Sequence, residues 1–444
     1  MADQPGTNQR ARPNAPTPSE EQGIVRAVAE THEGIAVGPQ EEPRPPLREV
    51  GAREWVGQNL FASTGQTALT VVFGLLLTWV AYKTIRFVFI TGRWQVIEVN
   101  LTTFMLGRFP RAELWRPVAT ALGLATFLPL WLGRTARTVQ ELAVGDVQRD
   151  WRVTWSRAWP FLVLAGGVLS FTRTITPTLL VAAAVSVGVV AYWTGGRLAV
   201  RTGGLVDIVA LAGIVASFYV PLFTGGFGWS NWGGVLMTLF AAAVGIGVSF
   251  PIGIALALGR RSDLPGIRAL CVVYIELIRG VPLITLLLMA SFVVGFLVPP
   301  GAGRPSVVAR ALVVLVAFTA AYVAEIVRGG LQSVPKGQVE AAQAIGLSPW
   351  KVTRRVVLPQ ALRNVIPALV GQFISLFKDT SLLAIIGILE LLRVAQVVTD
   401  QPAFRAQGLQ AETLAFAAFI YWVFAYAMSK ESQRLERRLG LGER

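Results

Sequence analysis

The chain has 444 residues, 53% hydrophobic and only 15% charged, where soluble domains carry about a quarter charged residues; a soluble globular protein is excluded and a polytopic membrane protein is indicated. Its formal charge of +14 comes mostly from Arg, which collects in cytoplasmic loops of membrane proteins, and in so apolar a chain it does not point to nucleic acid. One cysteine, Cys271, excludes an internal disulfide, and one histidine, His32 in a polar tail, excludes a His-based triad or a histidine-rich metal site.

Residues 1–62 are rich in Pro, Gly, Glu and Arg, with Pro39, Pro43, Pro45 and Pro46 in one short stretch. Such a segment cannot bury enough apolar area to offset chain entropy, so a disordered cytoplasmic tail is expected. The first apolar run starts only near Ala68, so the tail does not read as a signal peptide. Ten runs follow, near 66–88, 117–133, 159–176, 178–195, 204–222, 234–258, 276–298, 307–327, 364–389 and 412–429. Most approach the roughly 20 residues that cross a bilayer as a helix. They are continuous rather than alternating, which indicates an all-α polytopic protein of about ten transmembrane helices and not a β-barrel. The run at 117–133 is short enough to be interfacial.

Loop charges test this count. Arg134, Arg137, Arg149, Arg152 and Arg157 follow the second run, Arg197 and Arg201 the fourth, and Arg260, Arg261 and Arg268 the sixth. Lys336, Lys351, Arg354, Arg355 and Arg363 follow the eighth, and Lys430, Arg434, Arg437 and Arg438 the last. Ten spans with an inside N-terminus place all of these, and both termini, in the cytoplasm. Arg93, Arg108, Arg111 and Arg116 then fall in the first outer loop, against the bias. A change of character near residue 230 separates an N-terminal transmembrane extension, 63–230, from a core, 231–432, which a basic tail at 433–444 follows.

The core carries the informative residues. Ala241, Gly245, Ser249, Gly253 and Ala257 recur every fourth residue, a stripe that lets helices approach closely. Gly280 and Pro282 bend the seventh run. Glu276 with Arg279, and Glu325 with Arg328, are i,i+3 pairs near the cytoplasmic face, where they read as structural staples. The segment 338–367 is a polar island between apolar runs. Pro335 suits the start of a helix, Gly346 its left-handed end, and Ser348-Pro349 the cap and first residue of a second helix stopping near Pro359. On pattern alone this hairpin either packs on its own bundle or receives another surface on the slim Ala341-Ala342 face. Lys378 and Asp379 lie well inside the ninth run, beside Thr380 and Ser381. Charges at that depth pair with each other or line a wet path offering both signs to an amino acid zwitterion, and both readings stand.

Glu340-Ala341-Ala342, then Gly346, then Val356, Leu358 and Pro359, resembles the EAA loop of ABC importer permeases. That pattern is E-A-A, three residues, G, nine residues, I, one residue, L-P; Val356 in place of Ile is the one departure. Glu276, Arg279, Gly280 and Pro282 resemble the E-x-x-R-G-x-P signature of polar amino acid permeases. Tyr322, Glu325, Arg328, Gly329, Gly337 and Gln338 resemble its Y-x-x-E-x-x-R-G…G-Q segment, and 378–382 its K-D-T-S-L stretch. These motifs span 234–430. The longer N-terminus, with Asn100, Gly107 and Trp115, resembles the M-type subunit of general L-amino acid importers.

The resemblance implies a C-terminal five-helix type I permease core in a bacterial inner membrane, carrying polar or general L-amino acids. It implies that the loop at 335–363 couples to ABC ATPase subunits through Glu340, Ala341, Ala342, Gly346, Leu358 and Pro359, with Lys378, Asp379, Thr380 and Ser381 as pathway candidates. A second permease subunit, an extracytoplasmic amino-acid-binding protein and membrane lipid are the implied partners. No G-x-x-x-x-G-K-[ST] loop is present, so ATP and Mg belong to a partner chain, and this chain is expected to bind no cofactor or metal and to hold no catalytic residue. An ion- or proton-coupled secondary transporter, with Asp379 carrying a proton, is the alternative; it leaves the polar island unexplained. A membrane enzyme finds no H-E-x-x-H or G-x-S-x-G support.

Overall fold

A computed structural model describes residues 51–142, 175–198, 205–223, 231–293, 303, 305–405 and 407–438. The chain divides after Ile90 into two compact units. In the first, α1 (Ala52–Leu60) leads into α2 (Thr64–Arg86), which ends in a π-helical turn at Phe87–Thr91. Ser63 caps α2 by accepting the Gln66 amide, and Thr70 donates back to the Leu60 carbonyl at 2.8 Å. No residue of α2 is buried within its unit; Leu75 and Leu77, and Phe89 of the following turn, are exposed, as on a helix bathed in lipid.

The second unit begins with a helix the apolar runs did not announce, α3 (Gln95–Leu106). Three longer helices follow: α4 (Trp115–Leu142), α5 (Ile175–Leu198) and α6 (Leu205–Phe223). The run read as a short span at 117–133 is thus part of a 28-residue helix. These helices meet through small residues. A Cβ on Gly133 would lie 2.1 Å from the Tyr192 carbonyl, and one on Gly123 would strike Ser217. Arg134 and Asp207 pair at 3.1 Å between α4 and α6. The run read at 159–176 lies almost wholly outside the described residues.

The core proper holds α7 (Gly234–Gly259), α8 (Pro265–Gly280), α9 (Leu283–Phe292) and α10 (Val307–Ser333). After these come α11 (Lys336–Ala344), α12 (Pro349–Val352), α13 (Leu358–Asp379), α14 (Leu391–Val397) and α15 (Gln410–Arg438). The small-residue stripe of α7 is buried along its whole length. A Cβ on Gly253 would lie 2.5 Å from Val323 of α10, and one on Gly245 would lie 2.8 Å from Leu376 of α13. The stripe therefore serves packing within this chain.

Two runs take a different form from the one expected. The seventh is not a straight span: α8 and α9 meet at an angle of 99° around Val281-Pro282. Pro282 lacks the amide that would continue α8, so the chain turns and restarts. The ninth ends early, at Asp379, where α13 tightens into a 3₁₀ turn, Thr380–Ala384. Lys378 and Asp379 thus sit at the end of α13, where the flanking Leu376 and Thr380 meet Gly245 and Tyr421 in the interiors of α7 and α15. Ten spans are not found: among the described residues four helices are long and apolar enough to cross a membrane, or five with α8 and α9 as one bent span.

The ends of the core separate two kinds of chemistry. At the α7 N-terminus Gly234 donates to the Leu389 carbonyl at 2.8 Å, and Trp232, Phe104 and Leu391 are buried nearby. At the α7 C-terminus lie Arg260, the end of α10 and the α11–α12 hairpin. The two ends are the two membrane faces of the core.

Candidate functional site

The hairpin forms because its punctuation forces it to. Val334 and Pro335 are extended, α11 then runs nine residues, and Gly346 adopts φ +82°, a left-handed value that only glycine reaches without strain. Its amide donates to the Gln343 carbonyl at 2.9 Å, and the Leu347 amide to the Ala342 carbonyl at 3.2 Å. Ser348 occupies the cap position of α12, but its side chain makes no capping bond. The second helix does not stop near Pro359. It continues through a π-helical turn, Thr353–Val357, directly into α13, with Pro359 in the first turn of that helix. A π turn already displaces the regular amide bonds, so the proline there removes little, and Gln360 Nε2 serves the Val356 carbonyl at 3.0 Å.

The hairpin has two faces. Ala342, Val352 and Val357 are buried in one cluster with Val327, Leu331, Val334 and Ala361 of the bundle. Glu340, Ala341 and Gly346 lie on the exposed side, and Ile345 and Trp350 stand 77% and 64% exposed. Of the six coupling residues, Ala342 is therefore turned inward, Leu358 is partly covered, and the other four remain open.

Beside the hairpin's bundle end lies a charge cluster. Arg260 Nη1 is 3.1 Å from Glu276 and 3.1 Å from Glu325, so it ties α7 to α8 and α10 at once. Arg279 reaches Glu325 at 3.4 Å and lies over the Tyr322 ring, and Arg328 closes on the other Glu325 oxygen. The i,i+3 pair Glu325–Arg328 forms as its spacing allows. Among the described residues no Glu276–Arg279 pair forms; each partner reaches a different helix instead. The 99° break follows α8 at once, and the interhelical arrangement joins its end to α7 and α10 ahead of that turn. Sequence reasoning treated Arg260 only as a loop charge. Its place directly after the apolar run was the available signal.

The four pathway candidates do not act as one surface. Lys378 is exposed, Asp379 and Ser381 are half-buried, and Thr380 is fully buried with its hydroxyl donating to the Phe377 carbonyl at 2.6 Å. No ion pair joins Lys378 to Asp379 among the described residues. Behind them lies a buried polar group that the sequence did not single out: Glu390, 0% exposed, with Tyr421 and Thr238.

A bent helical bundle with a half-bare polar hairpin at one face is the membrane component of a transport system. Residues 249–440 match the family model described as binding-protein-dependent transport system inner membrane component. The glutamate/glutamine/aspartate/asparagine transport system permease protein BztC of Rhodobacter capsulatus is 35% identical over 432 residues, covering 89% of this chain and 96% of its own. The inner membrane amino-acid ABC transporter permease protein YhdY of Escherichia coli K12 is 35% identical over 421 residues, covering 90% and 96%. Among solved structures, an amino acid ABC transporter with histidines is 32% identical, covering 50% of this chain and 95% of its own, with a TM-score of 0.41. The chain belongs to the family of amino acid ABC transporter permeases and acts as a permease component in the inner membrane. An ion-coupled mechanism is not favoured. In this family the permease subunits are non-catalytic and the ATPase is a separate subunit.

Proposed function

We propose that this chain is one permease of a heteromeric importer for polar or general L-amino acids, coupled to its ATPase through the hairpin at 335–363. The observation that carries this reading is the hairpin's division into two faces. Ala342, Val352 and Val357 anchor it to the bundle, while Glu340, Ala341, Ile345, Gly346 and Trp350 stay open at one membrane face. An element fixed on one side and bare on the other moves its own bundle when a partner moves it. Buried anchors transmit displacement because packed cores resist compression.

ATP and Mg then act on the partner ATPases, and an extracytoplasmic binding protein delivers substrate to the Gly234–Leu389 end. The hairpin face is cytoplasmic in this reading, and so are both termini. The helix α3 and Arg93, Arg108 and Arg111 then lie on the outer side. Nucleotide-driven closure of the ATPases carries the hairpin inward and reorients the helices around the path, and hydrolysis resets it. The driving force is the different affinity of each ligand for the two states. Lys378, Asp379 and Ser381 meet the zwitterion at the end of α13. The relative BztC, named for glutamate, glutamine, aspartate and asparagine, supports a substrate class of polar amino acids.

Gly346→Asp tests the coupling role. A side chain at φ +82° strains the turn, and nothing of this chain lies within 4 Å of the position, so its new carboxylate faces the partner. Uptake is expected to vanish while the protein stays inserted at normal abundance. Normal uptake at equal abundance overturns the coupling role.

A further inference from the structure

Glu390 is the most deeply buried acid among the described residues, and neither fold nor hairpin accounts for it. It is 0% exposed and pairs with no basic side chain there. Its carboxyl caps α14, accepting the Leu392 amide at 2.8 Å and the Arg393 amide at 2.7 Å. Two backbone amides would satisfy a cap. A third donor arrives from another helix: the Tyr421 hydroxyl of α15, 2.8 Å from Glu390 Oε2. Thr238 of α7 accepts the Leu391 amide at 3.2 Å. Two helices thus donate to one buried carboxyl, and a third, α7, holds the residue next to it.

Tyr421 also touches the end of α13 twice. Its ring packs on Phe377 with centroids 5.4 Å apart, and its hydroxyl lies 3.5 Å from the Thr380 hydroxyl. Phe377 and Thr380 are three residues apart, on one helix face, and both are buried. The two residues between them, Lys378 and Asp379, fall on the other sides of the same turn, Lys378 exposed and Asp379 half-buried. The inward grip on 377 and 380 therefore fixes the direction of 378 and 379. The grip falls where α13 tightens into a 3₁₀ turn, the point at which the backbone changes its pitch.

We propose that Tyr421 and Glu390 are positioning residues for transport: Glu390 holds the Tyr421 hydroxyl, and Tyr421 sets the direction in which Lys378 and Asp379 face the path. This inference rests on the reading of Lys378 and Asp379 as substrate contacts. Neither Glu390 nor Tyr421 touches substrate; both act through the turn.

The test uses the full transporter, with its ATPase, second permease and binding protein, in proteoliposomes, measuring glutamine and glutamate uptake beside basal ATP hydrolysis. Tyr421→Phe removes one hydroxyl and keeps the ring on Phe377. It is expected to raise the KM for uptake about fivefold, the scale of one lost hydrogen bond, with basal hydrolysis unchanged. Glu390→Gln keeps an acceptor oxygen and is expected to retain a KM near that of the parent, while Glu390→Leu reproduces the Tyr421→Phe shift. Asp379→Asn separates the two layers of the argument. If Asp379→Asn shifts KM and Tyr421→Phe does not, the positioning role is overturned and the substrate contact stands. If Asp379→Asn leaves uptake kinetics unchanged, the substrate-contact reading falls and takes this inference with it. If both shift KM, the double variant decides. A KM no higher than that of Asp379→Asn alone supports positioning through Asp379, and a multiplied effect overturns it.

Discussion

Gln401 donates a 2.8 Å hydrogen bond to Asn100, joining the segment that follows α14 to a helix laid down before any core span begins. Asn100 is buried and its amide also serves the Val96 carbonyl at 2.9 Å, so both halves of the side chain are used. Around this bond Val96, Ile97, Leu101 and Phe104 of α3 share one apolar cluster with Leu391, Val394 and Ala395 of α14 and Phe416 and Ile420 of α15. The helix α3 is thus built into the core. Arg93 strengthens the junction, its amide donating to Glu412 at 3.0 Å and its guanidinium to the Gln407 carbonyl.

Phe104→Ala tests that integration. The ring is fully buried and meets Phe416 edge-on at 5.1 Å. Removing it costs about 3–5 kcal/mol where the cavity cannot collapse. A clear drop in the thermal unfolding midpoint of the detergent-solubilised transporter is expected. A midpoint equal to that of the parent places α3 outside the cooperative core.

The charge cluster makes an asymmetric prediction. Among the described residues Glu325, with its side chain 18% exposed, serves Arg260, Arg279 and Arg328, while Glu276, 56% exposed, serves Arg260 alone. Glu325→Gln leaves Arg260 with Glu276 but takes the paired carboxylate from Arg279 and Arg328, and it is expected to cost about 1–3 kcal/mol. Glu276→Gln leaves Arg260 its second partner, and the screened, exposed pair is worth at most ~1 kcal/mol. Thermal midpoints of the two variants, measured side by side, check this; equal losses contradict the central role of Glu325.

Two glycines of α7, one on the buried stripe and one off it, offer a matched pair of substitutions. A Cβ on Gly253 meets Val323 at 2.5 Å and the Ala320 carbonyl at 3.0 Å, whereas one on Gly247 meets nothing within 4 Å. Gly253→Ala is expected to destabilise by about 1–3 kcal/mol through forced separation of α7 from α10. Gly247→Ala is expected to be neutral or slightly stabilising, since alanine is the better helix former. Similar unfolding midpoints for the two variants rule out the close approach as a packing constraint.

Much of the hairpin was legible from its residues. Gly346 adopts the left-handed turn its position demands, and a polar segment between apolar runs has to lie at a membrane face. The course of the chain beyond it was not legible. Pro359 reads as a stop, yet a π turn carries the helix through it. The i,i+3 spacing of Glu276 and Arg279 reads as a pair, yet Arg260 and Glu325 take each partner away, because they lie closer across the helix boundary.

Local rules were decided by the sequence itself. Apolar runs near bilayer length, loop charges, small-residue periodicity and glycine turns depend on residues close in the chain, and they set the helical class and the hairpin. The tertiary structure alone decided the long-range choices. It put α3 against α14, bent the seventh run by 99°, gave Glu325 three arginines, and joined Glu390 to Tyr421. Those outcomes turn on which buried polar group finds which distant partner. A buried carboxyl or amide takes whatever donor the packing delivers, and separation along the chain has no bearing on that distance in space.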